Sequence, residues 1–210
     1  MKHLIFLSLI ILTLSCKRVS QPIIPVDLKL YEKKLSSGKA LTQEDANKIM
    51  SDLWDEIKKN TVGRELPSVQ LENLHGNIVD INDIVNKRSI IIISDSHCGF
   101  GGATLTKDFP VELMKLKKNH KDFDVFCIVV KTKSDLSDTA DFNSFMAELK
   151  PIYPKLYIIT ETKSKKLNII GSPTHLLVDK NKIVVSYQTG MAMQPNLLYN
   201  ELNNFLINYK

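Results

Sequence analysis

The sequence lacks a disulfide framework. Its three cysteines, Cys16, Cys98 and Cys127, are too few and too far apart for a stapled fold. None forms the Cys-x-x-Cys pair of a zinc site or an internal dithiol. Gly and Pro number only eight each, which excludes collagen-like and low-complexity architecture. Apolar runs are short, and none approaches the roughly 20 residues of a membrane-spanning helix. No aromatic-interleaved basic stripe occurs, and 28 Lys+Arg against 23 Asp+Glu leaves a net charge of only +5. Nucleic acid is therefore not an expected partner. What is present is 43% hydrophobic residues with charges of both signs over 210 residues. That composition excludes wholesale disorder and fits one ordinary domain with an extension.

Met1, Lys2 and His3 make a short basic start, followed by the apolar run Leu4 to Leu14. This run is the size of a signal-peptide core. Ser15 then precedes Cys16, with Lys17 and Arg18 after it. The arrangement resembles a bacterial lipobox, although Thr13 and Leu14 stand where Leu and a small residue are usual. The resemblance implies a signal peptide over 1–15, lipidation of Cys16 and a tether over 16–26, which contains Pro22 and Pro25. It places the protein in the bacterial cell envelope. Lys17, in place of an acidic residue, points to the outer membrane with the domain facing the periplasm.

Residues 27–61 read as a helical extension. Asp27 to Leu35 suggests a short helix. Thr42 to Asn60 is a longer one, with Thr42 as N-cap and Glu44 and Asp45 in its first turn. Ala46, Ile49, Met50, Leu53, Trp54 and Ile57 recur at three- and four-residue steps, so one face packs on the main domain. From Val62 the pattern changes to short strands. Ser68 to Leu74 and Ile78 to Ile81 flank His75-Gly-Asn77 as a hairpin. Ser89 to Ser94 is β-branched through its centre and apolar on both sides, the mark of a strand covered on both faces. A helix over Phe109 to Asn119, a buried strand over Asp124 to Val130, a helix over Ala140 to Leu149 and a strand over Leu156 to Thr160 follow. Leu167 to Ile170 connects to a hairpin of Thr174 to Asp179 and Ile183 to Ser186, and Pro195 opens a final helix. The alternation predicts an α/β domain over 62–210, with hairpins that make its central sheet mixed.

Cys98 follows the central strand and precedes a helical stretch. That position favours thiolate, because unpaired amides and the helix dipole attract negative charge. His97 stands beside it in sequence, and Gly99, Gly101 and Gly102 permit a tight, open turn. Cys127 lies within an apolar strand and reads as a small core residue. Cys98, His97, His175, Met191 and Met193 include soft donors suited to copper, but no pair has diagnostic spacing and no metal or other cofactor is expected.

Residues 62–210 resemble the thioredoxin-like superfamily, specifically the TlpA-type thiol-disulfide oxidoreductases of bacterial envelopes. The resemblance is carried by Gly63-Arg-Glu-Leu-Pro67, Gly76-Asn-Ile-Val-Asp-Ile81 and the stretch from Lys87 to Cys98. Most specific is Ile170-Gly-Ser-Pro173 with the strands running to Asp179 and from Ile183. The resemblance implies a cis Pro173 beside a reactive Cys98, and a Ser172 backbone that pairs with an incoming peptide as a strand edge does. The sequence departs from the family where the second cysteine belongs, because Gly101 stands there. Asp108-Phe-Pro110 also lies about one helical turn late, which places an insertion at the start of that helix.

Without a resolving thiol, an adduct on Cys98 needs an external one. The expected activity is single-cysteine thiol–disulfide exchange on protein or small-molecule thiols, with Cys98 as nucleophile and His97, Ser172 and Pro173 against the substrate. The alternatives are a non-catalytic peptide-binding module and a one-Cys peroxidase. The peroxidase reading lacks the threonine three residues before the cysteine, where Asp95 stands.

Overall fold

A computed structural model of the chain describes residues 20–36, 42–96, 104–189 and 195–209. At its centre Ser89–Asp95 forms a strand whose four isoleucines are all fully buried. Successive side chains of a strand point to opposite faces. Ile91 and Ile93 therefore enter one core, with Leu53, Ile57, Phe126 and Leu176. Ile90 and Ile92 enter the other, with Phe109, Cys127, Tyr153 and Phe205. A strand with two dry faces needs no polar alternation.

The strands are β1 Gln70–Asn73, β2 Ile78–Asp80, β3 Ser89–Asp95, β4 Asp124–Lys131, β5 Leu156–Thr160, β6 Thr174–Val178 and β7 Val184–Thr189. They form one sheet in the order β2-β1-β5-β4-β3-β6-β7. The pairs β3–β4 and β4–β5 are parallel, and β1 with β2, β1 with β5, β3 with β6 and β6 with β7 are antiparallel. The helices are α1 Leu28–Leu35, α2 Gln43–Thr61, α3 Ile81–Ile84, α4 Phe109–Asn119, α5 Lys133–Ser137, α6 Thr139–Leu149, α7 Glu161–Ser164 and α8 Pro195–Asn208. This is an α/β thioredoxin-like fold, with a mixed sheet flanked by helices and an N-terminal helical part. Here the lower end of the sheet is where β3, β4 and β5 begin, and the upper end is where they finish.

Local chemistry explains the element boundaries. Thr42 and Asp45 form a capping box at the start of α2, and the Thr42 hydroxyl and amide hold the Asp45 carboxyl below its ordinary range. The apolar stripe of α2 packs inward, with Leu53 and Ile57 buried. Tyr31 of α1 donates to the Glu56 carboxylate of α2, and that bond pushes the phenol up to about 12. At the lower end Arg88 is buried, donating to the main-chain oxygens of Leu206 at 2.5 Å and Asp122 at 3.0 Å.

Several expectations are revised. Ile81 opens a helical turn rather than ending a strand, and β7 runs on to Thr189. The segment read as a tether is docked from Ser20 onward. Pro22 forms a β-bridge with Glu65, Ile23 is buried, and Val26 donates to Asn168 Oδ1 at 2.9 Å. Asn168 in turn donates to the Ile24 oxygen at 3.0 Å and to the Thr61 hydroxyl at 2.9 Å. A few apolar side chains and these bonds outweigh the lack of periodicity. Cys16, on which the expected anchor depends, lies outside the described residues. Among the described residues no helix is long and apolar enough to cross a membrane.

Candidate functional site

Cys98 and His97 lie outside the described residues, as do Met191 and Met193. The structure describes the end of β3 that precedes them in the sequence and the segment around Pro173. β3 ends in Ser94 and Asp95, three residues before Cys98. The Ser172–Pro173 peptide is cis. The Ser172 and Ser94 hydroxyls are hydrogen bonded at 2.7 Å, and the Asp95 N–H donates to Ser172 Oγ at 3.1 Å. The two segments singled out in the sequence, the end of β3 and the Ser172–Pro173 turn, are thus joined directly.

Short polar side chains fix the rest of this end. Thr174 donates to the Gly171 oxygen at 2.7 Å, and its hydroxyl is hydrogen bonded to the Thr189 hydroxyl at 2.9 Å. A Cβ on Gly171 would sit 2.7 Å from Thr189 Oγ1, so only glycine fits beside that hydroxyl. The Ser96 hydroxyl donates to the buried Asp135 carboxylate. The same carboxylate accepts from the Thr132 N–H at 2.6 Å and the Thr132 hydroxyl at 2.8 Å, tying the turn after β4 to the turn after β3. A cleft of about 330 Å³ opens alongside, lined by Glu32, Asp95, Thr132, Glu161, Lys165 and Ser172 among others. A larger cavity, about 440 Å³, lies between Trp54 and Lys58 of α2 and strand β7; apart from Thr189 it shares nothing with this frame.

Below the frame, Cys127, Ile92 and His175 stand side by side on β4, β3 and β6. Cys127 is fully buried, and burial alone raises its thiol well above the ordinary range. His175 is buried with its ring stacked on Phe109 at 5.4 Å, and among the described residues neither ring nitrogen has a hydrogen-bond partner. Burial lowers its pKa to about 4, so the imidazole is neutral at pH 7. It serves as a packing residue and supplies no charge. Phe109 opens α4, and the turn before it, Thr104–Asp108, is a π-helix. The Tyr153 hydroxyl, itself buried, donates to the Leu105 oxygen of that turn at 2.8 Å. The late placement of Asp108-Phe-Pro110 thus coincides with a widened turn pinned from the loop between α6 and β5. Among the described residues no group of three or more His, Cys, Asp or Glu is arranged to hold a metal ion.

Sequence reasoning located Ser172 and Pro173 but missed Asp135, Thr189 and Tyr153. Thr132-x-x-Asp135 carried a legible signal, the capping pattern before a helix. Tyr153 and Thr189 carried none.

No family model matches the chain, and no curated protein matches its sequence. Solved structures do resemble it. The thioredoxin domain of a thiol-disulfide oxidoreductase from Bacteroides vulgatus is 19% identical with a TM-score of 0.51, covering 70% of this chain and 98% of that one. Arabidopsis thaliana ScoI with copper bound is 15% identical with a TM-score of 0.54, covering 68% of this chain and 98% of that one. These likenesses show a thioredoxin-like fold.

Proposed function

We propose that this protein is an envelope lipoprotein anchored through Cys16, whose thioredoxin-like domain carries out single-cysteine thiol–disulfide exchange at Cys98. The observation that supports it best is the joint between Ser172 and the end of β3. Chain connectivity keeps the Cα of residue 98 within roughly 11 Å of that of Asp95, which supports a site at the end of the sheet that carries Ser172 and Pro173.

The Cys98 thiolate attacks a substrate disulfide, forms a mixed disulfide with one half and releases the other half as a thiolate. An external thiolate then attacks the substrate sulfur of that mixed disulfide, forms a new disulfide and returns Cys98 as thiolate. Sulfur oxidation states are exchanged and no further oxidant is consumed. Cys127 does not resolve the adduct, because it is fully buried and its thiol is held protonated. The substrates are protein or small-molecule thiols. The resemblance assigns the Ser172 main chain to the incoming peptide, and a cleft of about 330 Å³ lies beside it.

The test is the reaction of the folded protein with a thiol probe at pH 7. Cys98 is expected to react faster than it does in the urea-unfolded chain, and Cys98→Ser is expected to abolish both that phase and turnover of a glutathione mixed disulfide. A rate no faster than unfolded, without turnover, would overturn exchange in favour of a binding-only domain. Oxidation of Cys98 to a sulfenic acid by dilute peroxide, read by mass, would favour a peroxidase instead.

A further inference from the structure

We infer that the bilayer holding the lipidated Cys16 faces the lower end of the sheet, and that the Ser172–Pro173 end points away from the membrane. The inference rests on the lipidation proposed above.

The described chain begins at the lower end. The Ser20 hydroxyl donates to the Glu65 carboxylate at 2.9 Å, the Glu65 N–H donates to the Gln21 oxygen at 2.9 Å, and the Ile23 N–H donates to the Glu65 oxygen at 3.0 Å. Glu65 bridges Ile183, immediately before β7. The first residue of β7, Val184, stands opposite Val178, which stands opposite Ser89, the first residue of β3. From there the chain climbs past Asn60 and Asn168 to α1, where Leu28 and Glu32 line the upper cleft with Asp95 and Ser172. Residues 20–32 therefore run the height of the domain from its lower end, fixed by main-chain bonds along the way.

Reach settles the orientation. Three residues separate Cys16 from Ser20, so even a fully extended connection spans roughly 14 Å. The seven residues of β3 alone rise about 20 Å. An inverted domain, with Ser172 at the bilayer, would lift Ser20 beyond that reach.

The test uses full-length lipidated protein in vesicles of phosphatidylglycerol and phosphatidylcholine containing a headgroup nitroxide quencher. In a Cys98→Ser background, a fluorophore is placed on Asn181→Cys, in the β6–β7 turn, or on Leu136→Cys, an exposed position on α5 after the upper end of β4. Cys127 is buried and takes no label. The probe at 181 is expected to be quenched several-fold more than the probe at 136. Equal quenching, or stronger quenching at 136, overturns the inference. Inserting twelve Gly/Ser residues after Val19 adds a coil span of about 19 Å and is expected to reduce the difference. A difference that the insertion leaves unchanged overturns tether length as its cause. If Cys16 has its unmodified mass and the protein stays off the vesicles, the lipidation reading fails and this inference falls with it.

Discussion

The two ends of the sheet are fastened in different ways. At the lower end two charged side chains meet main-chain acceptors, beside the side-chain pairs Ser20–Glu65 and Lys155–Asp124. Arg88 reaches Leu206 and Asp122, and the Lys182 ammonium reaches the Asn82 oxygen at 2.5 Å. A carbonyl acceptor fixes the path of the chain but not the residue that supplies it. At the upper end side chain meets side chain: Ser94 with Ser172, Thr174 with Thr189, and Ser96 and Thr132 with Asp135. Those pairs fix both identity and angle at each position. The lower end closes the fold, and the upper end holds a few hydroxyls and one carboxylate in a defined constellation where β3 finishes, three residues before Cys98 in the sequence. If this division is real, the two ends are separable by mutation.

The largest effect is expected at Arg88. Arg88→Ala removes two bonds from a charged donor, each worth about 1.5–3 kcal/mol, so the loss of stability is roughly 4 kcal/mol in urea unfolding. The thiol reactivity of the protein that remains folded should be unchanged. Reactivity that falls in step with stability would break the proposed separation. Next comes acid. His175, just inside the upper end, titrates at about 4 in the fold against an ordinary 6.5. Between those values the unfolded chain binds the extra proton, so stability is full above pH 6.5 and falls as pH drops towards 4. Linkage sets the loss between pH 7 and pH 4.5 on the order of 2 kcal/mol. His175→Leu should flatten that part of the profile. Glu112 and Glu201, on α4 and α8, and Cys127, on β4, are present in both chains, so their contributions cancel in the difference. An unchanged slope would mean that the imidazole does not carry the acid sensitivity.

The sequence reveals these ends unevenly. The isoleucines of β3 announced two dry faces because burial on both sides leaves an unbroken apolar run. The α2 stripe and the Thr42 cap were legible because helical period and capping are local. Ser172 and Pro173 were found through a stretch of family-like sequence, and the structure joins them to β3. The docking of residues 20–26 was not legible. Its bonds run from the main chain to Glu65, Asn60 and Asn168, and such contacts impose no pattern on side chains. The burial of Arg88 was not legible either, since nothing local shows that the end of α8 closes over it. Asn168 holds its clamp with a left-handed φ of 55°, a conformation set by distant partners that local composition does not encode.

The smallest expected change in stability tests the upper end most sharply. Ser172→Ala deletes one hydroxyl, and with it the contact to Ser94 and the acceptor of the Asp95 N–H. Losing one such neutral bonding group costs about 1–2 kcal/mol, less than Arg88→Ala. The consequence for chemistry should rank the other way. The Asp95 amide would no longer be fastened to the segment that ends in Pro173, and Cys98 lies only three residues beyond Asp95. The rate of mixed-disulfide exchange is therefore expected to fall several-fold, while Ser172→Thr, which keeps the oxygen, restores most of it. If Ser172→Ala slows exchange no more than Arg88→Ala does, the hydroxyl pairs of the upper end are simply further fastenings, and the contrast between the two ends has no bearing on the site.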